Sequence, residues 1–217
     1  SKEALEAFNK AVLLKPNYAE AYNNMGNVLV DQNNLEKAIE LLKKALLFKP
    51  HDYHVYFNLG NALHKFGTLK EAEKCLRQAI LYKPGFPDAH KNLSFTLLSN
   101  GKLKEGLKLM EWRWKNPNLS SMHQYRNFSQ PVWDGKQSLN DKRIMIWCEQ
   151  GIGDTLNWSS CLPLVTSRAK HCILECQEKL VPLLKRSFPD VEVKPEDRSR
   201  DIERDDFDYH LPMGSLY

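Results

Sequence analysis

A chain of 217 residues has room for one or two ordinary domains, and 42% hydrophobic with 27% charged residues is a globular composition, not a disordered or fibrous one. Lys and Arg number 31 against 27 Asp and Glu, a formal charge of +4 without a long basic run, so no nucleic-acid partner is indicated. No stretch approaches the roughly eighteen apolar residues of a membrane helix and no signal-peptide pattern opens the chain, so a cytoplasmic protein without a membrane span is expected.

The chain opens with "SKEALEAF", inside a helical pattern and without an initiator methionine, which reads as a piece of a longer protein. This first helix is expected from about Ala4 to Leu14. It stops before Lys15-Pro16, because proline cannot continue the backbone ladder. The Lys-Pro dipeptide recurs at Lys49-Pro50 and Lys83-Pro84, both intervals being 34 residues. Aligned on the prolines, Gly26 falls over Gly60, Ala38 over Ala72, Ala11 over Ala45 and Ala79, Tyr22 over Tyr56, and Phe8 over Leu42 and Leu76. Small residues let two helices of a hairpin approach, and bulky ones fill the space between hairpins. Asn33, Gly67 and Gly101 fall at the turns. These residues resemble the tetratricopeptide repeat: a partial repeat over 1–18, full repeats over 19–52 and 53–86, and a degenerate capping repeat over 87–115. The last departs from the pattern, with Ser94 in the glycine column, Gly106 in an alanine column and Arg113 in another. Trp112 and Trp114 beside it are expected to pack the solenoid against whatever follows.

Asn24, Asn58 and Asn92 recur at the repeat interval on the first helix of each hairpin, joined by Asn27 and Asn61. Asparagine is a poor helix-interior residue, but its amide both donates and accepts, so a ladder of such groups on a concave face can pair with the backbone of an extended peptide. Hydrogen bonding within the hairpin is the other role open to these residues. The "YNNMGN" and "YFNLGN" pattern resembles the repeats of the O-linked N-acetylglucosamine transferase family, and that resemblance implies a polypeptide partner on the concave face.

Residues 116–140 read as a polar linker punctuated by Pro117, Pro131 and Gly135. Beyond it strands alternate with helices: strands at Arg143–Trp147, Cys172–Cys176, Val191–Val193 and Asp208–Leu211, with helices over about 154–167 and 178–187. That alternation predicts a partial doubly wound, Rossmann-like parallel sheet over 141–217, making the whole chain α plus α/β. The mixed-charge run "PEDRSRDIERDD" reads as a solvated loop. Five cysteines at irregular spacings (Cys75, Cys148, Cys161, Cys172, Cys176) suit reduced core thiols, and no metal site is expected. "CEQGIGDTLNW" follows the first strand, where ligands sit in such sheets. It lacks the third glycine of a dinucleotide fingerprint and the Gly-Lys-Ser/Thr of a phosphate loop. Asp154 is left with two roles, the N-cap of the next helix or a carboxylate that binds or deprotonates a sugar hydroxyl.

From Gln130 onward, "QPVWDG", "IMIWCEQGIGDTLNW", "CLPLV", "ILECQEKLVPLL", "FPDVEV" and "FDYHLPMGSL" resemble bacterial tetratricopeptide proteins fused to a domain related to the heptosyltransferases of glycosyltransferase family nine. The resemblance implies the acceptor-side half of a two-domain GT-B fold, with Asp154 as general base and Glu149, Gln150, Gly151 and Gly153 around the acceptor. It implies no cofactor in this chain and a nucleotide-sugar donor held by a further domain, so this length alone is expected to be inactive. A non-catalytic interaction scaffold carrying a degenerate sheet domain is the rival reading.

Overall fold

The computed structural model describes residues 2–115, 125–200 and 204–216. Residues 116–124 of the expected linker and 201–203 of the charged run lie outside the described residues. The chain divides into two compact units, Ser1–Asn116 and Pro117–Tyr217.

The first unit is built from seven helices: α1 (Lys2–Leu14), α2 (Ala19–Asp31), α3 (Leu35–Phe48), α4 (Tyr53–Phe66), α5 (Leu69–Tyr82), α6 (Pro87–Ser99) and α7 (Leu103–Met110), closed by a 3-10 turn at Glu111–Lys115. Each packs on its neighbours in the chain, and α2 also touches α4 as α4 touches α6. The turns within the hairpins fall where the period puts them. Asn33, Gly67 and Gly101 all take positive φ, at 59°, 93° and 75°, the left-handed conformation that asparagine and glycine adopt most readily. Lys15, Lys49 and Lys83 each donate a last helical N–H, to Ala11, Ala45 and Ala79, before proline ends the ladder.

The column of small residues has a steric cause. A Cβ on Gly26 would stand 2.6 Å from Leu42 Cγ, and one on Gly60 2.7 Å from Leu76 Cγ, both too close for real atoms. In the third hairpin the small residue changes helix. Ser94 of α6 carries a Cβ, and its Oγ donates to the Gly106 carbonyl at 2.7 Å. Gly106 of α7 supplies the missing room, since a Cβ there would lie 2.8 Å from Leu98. The partner of Gly26 and Gly60 in the next helix is leucine (Leu42, Leu76), whereas Met110, unbranched and adaptable, stands in that column beside Ser94. The degenerate repeat is therefore a compensated exchange.

Trp112 is half-buried in the first unit. It stacks on His90 of its own unit, centroids 3.6 Å apart and planes 4° from parallel. His90 stands in the Tyr22 column: Tyr22 Oη donates to the Pro16 carbonyl at 3.1 Å, and His90 Nε2 meets the Pro84 carbonyl at 2.8 Å. Arg113 folds back, its Nη1 donating to Glu111 and to the Met110 carbonyl.

The described residues of the second unit hold four strands, β1 (Arg143–Trp147), β2 (His171–Cys176), β3 (Glu192–Pro195) and β4 (Tyr209–Pro212), in the order β3-β2-β1-β4 with every pairing parallel. The helix expected over 154–167 is two pieces, α8 (Ile152–Ser159) and α9 (Pro163–Thr166). Ser159 and Ser160 hydroxyls bond back to the Leu156 and Asn157 carbonyls, and Pro163 has no N–H to continue the ladder. α10 (Val181–Ser187) follows a 3-10 turn at Glu178–Leu180.

Alternation along the strands gives the sheet two faces. Ile144, Ile146, Cys172, Leu174, Cys176, Val193 and Leu211 form an apolar core with Leu162, Val165 and Leu184 of the helical connections. On the opposite face Trp147, Glu175 and His210 meet residues 125–128 and 204–207. A doubly wound fold would lay helices on both faces. Among the described residues the second face is instead covered by chain without regular secondary structure, 125–128 and 204–207.

Part of that cover, Tyr125, Arg126 and Phe128, comes from the expected linker, which packs into the sheet unit and also adds Trp133 and Leu139 to the apolar core. Val132 makes a parallel bridge to His210, Trp133 and Leu139 are buried in the sheet unit, and the Arg126 side chain is fully buried. Arg126 Nη1 donates to Glu175 Oε2 and Arg204 Nη1 to Glu175 Oε1, each at 2.6 Å, while Arg204 also grips Asp206 with Nε and Nη2. Two arginines thus share one buried carboxylate.

Candidate functional site

In the first unit the inner helices α2, α4 and α6 border a groove of about 400 Å³, lined by Asn27, Val30, Asp31, Asn58, Asn61, His64, Lys65, Asn92, Phe95 and Thr96. Four of the five sequence-predicted asparagines meet there. Asn24 does not; it is exposed and receives only a long 3.5 Å contact from Asn23. The amides are oriented by bonds between neighbouring hairpins rather than within one. Asn92 Nδ2 donates to Asn61 Oδ1 at 2.7 Å, and Asn58 Nδ2 to Asn23 Oδ1 at 2.9 Å. Asn61 therefore keeps its Nδ2 for donation, and Asn58 and Asn92 keep Oδ1 for acceptance. Thr96 Oγ1 donates to the Asn92 carbonyl, so the His64 Nδ1 contact with that oxygen at 3.0 Å is a donation from the imidazole. Val30, Asp31, His64, Lys65 and Phe95 escaped sequence reading because none repeats its own type at 34 residues. The available signal was position: each sits on the groove row next to an asparagine.

In the second unit the glycine loop lies at the carboxyl end of β1. Gly151, in extended backbone at φ −68° and ψ 171°, holds the N-cap position of α8, so the expectation that Asp154 caps the helix is corrected: it lies three residues further in, exposed, within the first turn. Its Oδ2 stands 3.5 Å from where a Gly151 Cβ would be, and nothing lies within 4 Å of a Cβ on Gly153. Neither glycine is demanded by positive φ or by close packing. Glu149 is buried, with its carboxylate accepting from the Gly214 N–H at 3.1 Å. The Gln150 side chain donates to Glu149, and the Gln150 backbone carbonyl accepts from Gln177 Nε2 at 2.7 Å, while Thr155 Oγ1 donates to Gln177 Oε1. Glu149 and Gln150 thus brace a loop on which Gly151, Gly153 and Asp154 stand exposed. Gln177 was missed; it stands one residue past β2, where a polar residue gave no periodic signal.

All five cysteines are free thiols. Burial pushes Cys75 and Cys176 up to about 11 and Cys172 up to about 12, and raises Cys148 as well, so these four stay protonated at neutral pH and are poor nucleophiles. Among the described residues no group of three or more His, Cys, Asp or Glu is placed to hold a metal, and no helix is long and apolar enough to cross a membrane.

Helix hairpins of 34 residues stacked on their neighbours, with small residues at each crossing, define an α-solenoid. Models of the tetratricopeptide repeat match residues 2–31, 26–67 and 53–86, so residues 2–86 of the first unit are tetratricopeptide repeats, a class that binds peptides and proteins. The chain is 39% identical over 64 residues to protein FlbA of Caulobacter vibrioides, a match spanning 28% of this chain and 11% of FlbA. Among solved structures it is similar to a crystal structure of MamA, at 25% identity and a TM-score of 0.48, over 50% of this chain and 63% of that one. It is also similar to the Sgt2 TPR domain of Aspergillus fumigatus, at 20% identity and a TM-score of 0.42, over 43% of this chain and 62% of that one.

Proposed function

We propose that the repeat unit is a polypeptide-binding module whose asparagine-lined groove holds an extended segment by its backbone. The observation that carries this is the groove itself, where Asn27, Asn58, Asn61 and Asn92 converge with amides oriented by bonds between hairpins. Peptide N–H groups find acceptors in Asn58 and Asn92, and carbonyls find donors in Asn61. Replacing Asn58, Asn61 and Asn92 by alanine is expected to weaken capture of unstructured peptides in a fluorescence-anisotropy titration while the helical circular dichroism is unchanged. Equal affinity of the folded variant would refute the reading.

For the second unit we propose the acceptor-side half of a glycosyltransferase, with Asp154 as general base and a nucleotide sugar supplied from a further domain. Support comes from the order β3-β2-β1-β4, which sets the glycine loop at the end of an interior strand, and from the two glycines. Glycine in a helix costs roughly 1 kcal/mol against alanine, yet the space around Gly153 is open, which suits close approach of an acceptor. The test needs the longer protein. Asp154→Asn should lower turnover by about a hundred-fold to ten-thousand-fold, the usual cost of a lost general base. Near-normal turnover by a folded variant would remove Asp154 from the role of base.

A further inference from the structure

The groove changes chemistry from one hairpin to the next. Its inner row reads Asn27, Asn61, Phe95 at 34-residue steps, and its outer row reads Asp31 and Lys65. Phe95 is 47% exposed, an aromatic face open where two asparagines precede it. Asp31 and Lys65 are exposed and opposite in sign at equivalent positions of α2 and α4. Packed helices lie roughly 8–10 Å apart and extended chain advances about 3.3 Å per residue, so each inner helix faces about three residues of bound chain. The backbone contacts set by Asn58, Asn61 and Asn92 are blind to sequence; Phe95, Lys65 and Asp31 are not.

Resting on the peptide-groove reading above, we propose that the groove selects an extended segment with an apolar side chain against Phe95 and an acidic one about three residues away against Lys65. A basic side chain a similar distance further on meets Asp31. Water leaves the Phe95 ring only when an apolar group covers it, and a charge reversed at either outer position places like charges together.

An array of unstructured decapeptides, varied one position at a time and probed with the purified 217-residue chain, tests this. The chain should favour the apolar and acidic residues at that spacing. Phe95→Asn, which repeats the residue at 27 and 61, should lower capture of apolar-bearing peptides about tenfold, the scale of one covered apolar side chain, and leave polar peptides unchanged. Lys65→Glu should turn the acidic preference into a basic one; both positions are exposed, and circular dichroism checks the fold. The proposal is overturned if Phe95→Asn and Lys65→Glu bind with the wild-type sequence preference. No capture by the wild type, or capture indifferent to loss of Asn58, Asn61 and Asn92, would overturn the groove reading and this proposal with it.

Discussion

Gly60→Ala tests the packing of the repeat hairpins. On an exposed helix this change stabilises by about 1 kcal/mol, because alanine is the better helix former. Here the new Cβ would stand 2.7 Å from Leu76 Cγ and 3.0 Å from Cδ2, where ordinary contact begins at about 3.4 Å. Leu76 is fully buried, and its Cγ is not a free end that can swing aside. Overpacking of that kind costs typically 1–3 kcal/mol, and with a core this tight the upper half of the range applies. The net expectation is a loss of about 1–2 kcal/mol. Urea denaturation followed by far-UV circular dichroism measures it. Adding Leu76→Met, the residue that position 110 holds in the same column, should recover part of the loss, giving a favourable coupling in the double-mutant cycle. A Gly60→Ala protein as stable as the wild type, or a cycle without coupling, would refute the steric account.

Glu175→Ala deprives Arg126 and Arg204 of their shared buried carboxylate and should cost about 3–5 kcal/mol in the same denaturation assay, whereas replacing all three by apolar residues should cost less. Burial lowers the pKa of His90, and Lys115 acts in the same direction. Above about pH 6.5, the ordinary histidine value, both states are neutral; below it the unfolded chain takes the proton first, so stability falls with pH until the lowered folded value is passed too. His90→Tyr should flatten that part of a stability profile between about pH 7.5 and 5, and an unchanged slope would exclude His90 as its source. Alkylation by iodoacetamide at pH 8 should leave Cys148 and Cys172 unmodified in the folded protein, as mass spectrometry would show, and modify both in urea.

The hairpins were legible because the repeats share one period, a turn position held by Asn33, Gly67 or Gly101, and a Lys-Pro stop at 15–16, 49–50 and 83–84, so each position was read against its copies. Ser94 and Gly106 were legible as departures but not as an exchange, since their relation runs across the hairpin and not along the column. The strands of the second unit stood out as apolar runs. The role of 125–140 did not, because its anchors are single residues, Arg126, Val132, Trp133 and Leu139, spaced among prolines and polar residues. Glu175 hid within an apolar strand, where only the folded chain brings two arginines from distant segments. At the candidate sites the asparagines followed from their period. The N-cap did not, because Gly151 and Asp154 both suit a helix start and the backbone alone decides between them.

The exchange of Ser94 for glycine makes the hairpins unequal as building blocks. A second copy of 53–86 inserted ahead of Pro87 would keep the Lys-Pro stop before each hairpin and α5 leading into α6, and would bring one new junction, α5 against α4 of the copy, where Phe86 stands in place of the capping Asp52. The exchange holds within the third hairpin: Ser94 keeps its room wherever Gly106 travels with it, whereas α6 paired with the second helix of another hairpin would set Ser94 against a leucine shaped for glycine. The solenoid can thus be lengthened by whole hairpins but not by single helices, and each inserted copy of 53–86 would add one Asn58–Asn61 row to the reach of the groove.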